Sequence, residues 1–200
     1  AILTTWLFVV VYTLVYFKAS GSKPNFVILL ADDLGYGDIC FNQAKNVYGG
    51  CTKPEVWSDC PRTDYLNALR KESITLTEFY VQPLCSPTRS ALLTGRYPIH
   101  TGMQTHVLQP TQPGGLPLKY KTIAEELKKQ GYDTYLVGKW HLGYSKWEHT
   151  PLFRGFNHFY GMYVGAADHY TRYPSLGNQT VRIPHIDFLL NGRDLHRGAG

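Results

Sequence analysis

Cys85 stands four residues before Arg89, with Ser86 and Pro87 just after the cysteine and Leu92, Leu93, Thr94 and Gly95 just beyond the arginine. Serine accepts an orphan backbone N–H at a helix start, and proline suits the first helical position, where no N–H is needed. With Ser86 as N-cap and Pro87 in the first helical position, a short helix is therefore predicted to run to about Thr94, stopped by Gly95. In a helical turn the Arg89 guanidinium comes back over the cysteine side, and a helix N-terminus beside an arginine makes a seat for an anion. On these residues alone Cys85 reads either as a buried thiol or as the reactive group of that seat. A second pair, Asp32 and Asp33, follows an apolar run. Neighbouring carboxylates repel unless a cation or water separates them, so they read either as a solvated acidic turn or as oxygen ligands of a hard divalent ion such as Ca²⁺. A third pair, Lys139 and His141, lies two residues apart after another apolar run. In extended chain both side chains share one face and carry a cation and a proton carrier to one ligand, although Lys-x-His by itself is a common pattern. The chemistry on offer is anion binding, cation binding and proton transfer.

These residues need elements to position them. Asn25-Phe26-Val27-Ile28-Leu29-Leu30-Ala31 is a continuous apolar run of strand length, the pattern of a strand buried on both faces of a parallel sheet, and Asp32 and Asp33 fall just past its carboxyl end, where open α/β sheets collect ligands. Phe41 to Pro61 is rich in Asn, Gly, Pro and Cys, without sustained period, and reads as a loop. Thr63 to Lys71 has capping residues and Leu66 and Leu69 at helical spacing. Ile74 to Tyr80 alternates apolar with polar side chains, hence a strand. Tyr97 to Tyr120 is punctuated by prolines and glycines and reads as loop; its His100 and His106 read as surface or hydrogen-bonded imidazoles. Thr122 to Gln130, closed by Gly131, has acids early and lysines late, a helix, and Tyr132 to Gly138 returns as a strand leading into Lys139. Alternating strands and helices indicate an α/β fold.

Taken as phrases, these segments resemble the type I sulfatases. Cys85-Ser86-Pro87-Thr88-Arg89 with Leu93-Thr94-Gly95-Arg96 resembles the signature of that family, Asp32-Asp33-Leu34-Gly35 the end of its first strand, and Gly138-Lys139-Trp140-His141-Leu142-Gly143 its second hallmark. Gly155-Phe156-Asn157-His158-Phe159-Tyr160-Gly161 resembles a third, with Asn157 where many members carry aspartate. The resemblance runs from about Lys23 to Tyr170 and is nearest in phrasing to the arylsulfatase B group, which removes sulfate from N-acetylgalactosamine units of glycosaminoglycans. It implies an alkaline-phosphatase-like mixed central sheet flanked by helices, here its N-terminal portion over residues 22–200.

Sulfate monoester hydrolysis needs a nucleophile at sulfur, neutralised oxygens and proton transfer to or from the reacting oxygens. By resemblance, a formylglycine-generating enzyme converts Cys85 to an aldehyde whose hydrate attacks sulfur with one hydroxyl and releases sulfate when the second re-forms the aldehyde. Asp32, Asp33 and the converted Cys85 hold Ca²⁺, Arg89 stabilises the diol, Lys139 bridges diol and sulfate, and His141 removes the second hydroxyl's proton. The family also uses an Asp-Asn pair, a histidine and a lysine from later in its chain; no Asp-Asn dipeptide occurs here, so the sequence reads as the front part of a longer catalytic domain. Two rivals are a phosphoryl-transfer enzyme of the same superfamily, which would use serine or threonine as nucleophile, and a non-catalytic secreted binder on the same scaffold.

Composition bounds these readings. The chain has 200 residues, 44% hydrophobic and 18% charged, which reads as globular rather than disordered. The net charge of +5 favours acidic partners such as sulfated polysaccharide, or is a surface excess without meaning. With no arginine-rich helix, zinc spacing or RNP-like string, nucleic acid is excluded as the expected partner. Residues 1–21, uncharged to Phe17 and ending in Ala19-Ser20-Gly21, read as a signal peptide, with an uncleaved membrane anchor as the alternative. A secretory route, to lysosome or extracellular space, follows, in keeping with the sequon Asn178-Gln179-Thr180. With Cys85 consumed by modification, Cys51 and Cys60, which flank a loop, are the expected disulfide and Cys40 is free or buried.

Overall fold

A buried tryptophan and a buried arginine organise the larger part of this protein. The computed structural model describes residues 23–36, 39 and 63–167, and the backbone of 175–176, 179–180, 189–190 and 193–194. The expectations for the signal peptide, for Cys40, Cys51, Cys60 and their loop, and for the Asn178 sequon lie outside the described residues. The chain divides into two units, Ala1–Ser73 and Ile74–Gly200.

In the first unit helix α1 spans Asp64–Glu72, with Asp64 in its first turn and Arg70 and Lys71 in its last, each sign at the favourable end of the helix dipole. The run Asn25–Ala31 corrects the sequence reading: it is assigned to no strand, and its apolar side chains are exposed, Val27 at 82% and Leu29 at 87%. An apolar run declares a need for burial, but a strand exists only through its ladder partner, which local sequence does not encode.

In the second unit Cys85–Thr94 forms α2, Pro98–Thr101 α3 and Ile123–Lys129 α4. Strand β1 is Tyr135–Lys139 and β2 His158–Met162. Two-residue strands follow at Ser175–Leu176 (β3), Gln179–Thr180 (β4), Leu189–Leu190 (β5) and Arg193–Asp194 (β6). β1 pairs parallel to β2 in register Tyr135 to His158, β5 and β6 add antiparallel, and β3 with β4 makes a separate pair. A mixed sheet with helices results, as the α/β expectation requires. Parallel strands need a crossover, and the segment between β1 and β2 supplies it with two 3₁₀ turns, Trp147–His149 and Pro151–Arg154. Two further expectations are corrected. Ile74–Tyr80 is assigned to no strand and exposes Ile74 and Tyr80; among the described residues its alternation has no pairing partner. Within the predicted loop from Tyr97, α3 forms because Pro98 opens it and Gly102 closes it in the left-handed conformation.

The core beside β1 and β2 gathers Met103, Leu116, Ala124, Trp140, Leu142, Phe156, Phe159 and Tyr163. Burying each large apolar side chain contributes about 1.5–3 kcal/mol. Trp140 crosses Phe156 edge to face and its indole N–H is satisfied by the carbonyls of Gly143 and His149, both at 3.0 Å. α4 forms where expected and is capped by Thr122, whose Oγ1 accepts from Glu125 N–H at 3.1 Å. The Glu125 carboxylate reaches buried Arg154 Nε at 2.8 Å, while Arg154 also donates to the carbonyls of Leu116 and Tyr120. Among the described residues no helix is long and apolar enough to cross a membrane.

Candidate functional site

Helix α2 begins at Cys85 itself, two residues earlier than predicted, with Leu84 as its N-cap. Cys85 is a free, half-buried thiol at the first helical position. Pro87, in the first turn, costs no helical hydrogen bond. Thr88 Oγ1 donates back to the Gln82 carbonyl at 2.8 Å and fixes the entering chain. Gly95, with φ of 63°, ends the helix as expected, its N–H donating to Ala91 O at 2.8 Å. Ser86 corrects the sequence reading. It is not the N-cap; its hydroxyl is wholly buried and donates to the His141 carbonyl at 2.9 Å while accepting from Leu108 N–H at 3.1 Å. Those partners lie far away in sequence, so the local capping rule could not anticipate them.

Arg89 is buried, and its guanidinium donates to the Lys139 carbonyl at the last residue of β1. Two side-chain bonds, from Ser86 and from Arg89, thus fasten the first turns of α2 to the carboxyl end of β1. The backbone there continues its pairing past the strand, Trp140 N–H to Met162 O at 2.9 Å and His141 N–H to Tyr163 O at 3.0 Å. His141 then departs from extended chain, with φ of 57°, so the alternation expected to put Lys139 and His141 on one face stops at the histidine. The His141 ring is buried, its Nε2 lying 2.9 Å from Leu108 O. A carbonyl only accepts, so Nε2 carries a proton.

Asp32 and Asp33 belong to the first unit, exposed, at a bend after the apolar run. Asp33 has φ of 58°, and among the described residues it and His141 are the non-glycine residues with positive φ. Such conformations cost about 1–3 kcal/mol each and cluster where function holds them. The donors of Asp32 and Asp33 are carboxylate oxygens from adjacent residues, a set that suits a hard cation such as Ca²⁺ and not a thiophilic metal. The structure therefore brings together the Cys85 turn, Arg89, Lys139 and His141 within the second unit. Sequence reasoning missed Ser86 as a bridge, the Leu108 carbonyl, and Gly165, where a Cβ would stand 2.4 Å from His141 Cε1. It also missed Arg154, whose type is rarely buried and whose partners are main-chain oxygens.

Residues 24–187 match the sequence profile of the Sulfatase family. Mouse (Mus musculus) arylsulfatase J is 39% identical over 155 residues, covering 78% of this chain and 23% of that protein. Human (Homo sapiens) steryl-sulfatase is 42% identical over 154 residues, covering 72% of this chain and 24% of its own length. The crystal structure of Ps i-CgsB superposes with a TM-score of 0.69 at 31% identity, covering 87% of this chain and 37% of that one. The chain thus spans about a quarter of the length of these curated relatives.

Proposed function

The chain belongs to the sulfatase family, and from that premise we propose that the protein hydrolyses sulfate monoesters at a site built around Cys85. One observation carries the reading: Ser86 and Arg89 lash the Cys85 turn to the Lys139–His141 corner through the carbonyls of His141 and Lys139. The group that would meet sulfur and the groups that would manage charge and protons then share one rigid piece, which is what a pre-organised site needs. The left-handed His141 supports the same reading, since strain of that kind persists where function requires it.

Converted to formylglycine, Cys85 would supply in hydrated form the oxygen nucleophile. Arg89, anchored on the Lys139 carbonyl, stabilises negative charge beside the Cys85 turn. Lys139 neutralises sulfate oxygens with its ammonium. His141, with Nε2 donating to Leu108 O, takes up a proton at Nδ1. Asp32 and Asp33, with the converted Cys85, would hold Ca²⁺, which polarises sulfate oxygens when bound. The relatives' names, arylsulfatase and steryl-sulfatase, differ in the alcohol and share the sulfate. Within that class a glycosaminoglycan N-acetylgalactosamine sulfate suits the basic chain, in a lysosomal or extracellular compartment reached through the secretory pathway, where a formylglycine-generating enzyme acts on Cys85.

Mass spectrometry of the Cys85 peptide from full-length protein tests this. An aldehyde in place of CH₂SH is expected; an intact thiol in material from a host able to make the conversion would sink the proposal and favour a binding protein on the same scaffold.

A further inference from the structure

Ser86, Leu108 and His141 close a ring of hydrogen bonds. The Ser86 hydroxyl donates to His141 O at 2.9 Å, His141 Nε2 meets Leu108 O at 2.9 Å, and Leu108 N–H returns to Ser86 Oγ at 3.1 Å. The serine, with no exposed surface, satisfies one donor and one acceptor that would otherwise be buried without a partner in this ring. Gly165 closes the side facing the imidazole: an added Cβ would fall 2.4 Å from Cε1 and 2.7 Å from Nε2, so the ring lies against the glycine and has no room to swing that way. The backbone of His141 sits at φ of 57°, a conformation that needs external bonds to persist.

We propose that Ser86 is a positioning residue for His141. Its hydroxyl holds the left-handed His141 main chain and, through Leu108, presents the carbonyl that fixes the Nε2–H tautomer. Nδ1 is then the nitrogen that takes a proton. The catalytic part of this inference rests on the reading of the site as a sulfate ester hydrolase; the tautomer does not. Gly165 serves the same end by shape, not by a bond.

The test uses full-length protein carrying ¹⁵N-histidine, with the aldehyde content at Cys85 measured by mass spectrometry so that kcat is expressed per converted chain. Long-range ¹H–¹⁵N correlation in the wild type is expected to show His141 protonated at Nε2. A proton fixed on Nδ1 instead overturns the inference before any variant is made. Ser86→Ala should give a mixture of tautomers and lower kcat about 10–100-fold, the range for groups that orient a catalytic side chain. KM for an aryl sulfate should stay within about twofold, because ground-state binding is untouched. Ser86→Thr keeps the hydroxyl and should restore both tautomer and kcat. An Ala variant with wild-type tautomer and kcat, or a loss carried by KM alone, overturns the positioning role. A wild-type protein that shows Nε2–H yet hydrolyses no sulfate ester removes the functional reading and the positioning role with it, while the tautomer assignment stands.

Discussion

His141 is the residue at which sequence, backbone and proposed chemistry meet. A β-adjacent histidine in left-handed conformation costs about 1–3 kcal/mol, and three bonds hold it there, from Ser86 and to Tyr163 and Leu108. Its substitution to alanine in the full-length protein should lower turnover by roughly 10²–10⁴-fold, the usual contribution of a proton-transfer group, and Lys139→Ala should act on a similar scale. Cys85→Ala should abolish turnover. Kinetics on an aryl sulfate decide, and near wild-type turnover in either of the first two would refute the assigned roles. His149 carries a different prediction. Partial burial first, then the charges of Arg154 and Lys146, lower its pKa, with Glu148 opposing. For a base the lowered value means that the folded state binds protons less readily than the unfolded chain. Stability is therefore fully present above the ordinary imidazole value of about 6.5 and declines as pH falls through the lowered value. Thermal melts of His149→Gln should lose that part of the pH dependence; an unchanged slope would exclude His149 as its source.

Elements differ in how far sequence announces them, and the reason is the range of the bonds that make them. α4 was legible because its signals are local: Thr122 caps Glu125, acids open the helix and Gly131 follows it. α2 was legible at Gly95 for the same reason, and at Ser86 it was not, since that hydroxyl is claimed by His141 and Leu108 across the fold. Asn25–Ala31 and Ile74–Tyr80 have strand composition, yet strands are made by partners that lie elsewhere in the chain. Cys85, Arg89, Lys139 and His141 could be picked out by phrase; their fastening through main-chain carbonyls could not. The same holds for Arg154, which joins the second 3₁₀ turn to α4 and to the Leu116 and Tyr120 carbonyls. Replacing it with methionine strands a carboxylate and two oxygens in poorly hydrated surroundings. Removing one partner of a buried pair costs about 3–5 kcal/mol, and the lower end applies because Lys121 stays 3.4 Å from Glu125. Arg154→Lys should recover only part, having one reach where the fork has three. Chemical denaturation of the full-length variants measures this, and a loss below about 1 kcal/mol for Arg154→Met would show that water replaces the fork.

At the scale of the whole molecule the discriminating chemistry is between two anions. A sulfate monoester carries one negative charge near neutral pH, whereas a phosphate monoester carries nearly two, its second pKa being about 6. A site with Arg89, Lys139 and Ca²⁺ on Asp32 and Asp33 would bind both, so charge alone does not separate them; the nucleophile does, because a formylglycine hydrate can eject sulfate by re-forming its carbonyl and a serine cannot. Matched aryl esters presented to the full-length protein should therefore show preference for sulfate, and that preference should depend on conversion of Cys85. Turnover should also vanish on chelation and return with Ca²⁺, which takes six to eight oxygens and is weakly replaced by softer ions at a carboxylate site. Asp32→Asn and Asp33→Asn should each reproduce the chelated state and respond to added Ca²⁺ only at higher concentration, since removing one carboxylate charge weakens the site without closing it. Calcium titrations followed by aryl sulfate turnover distinguish the cases. If both variants kept wild-type calcium dependence, Asp32 and Asp33 would not be the ligands, and the hard cation would have to be held by other oxygens of the protein.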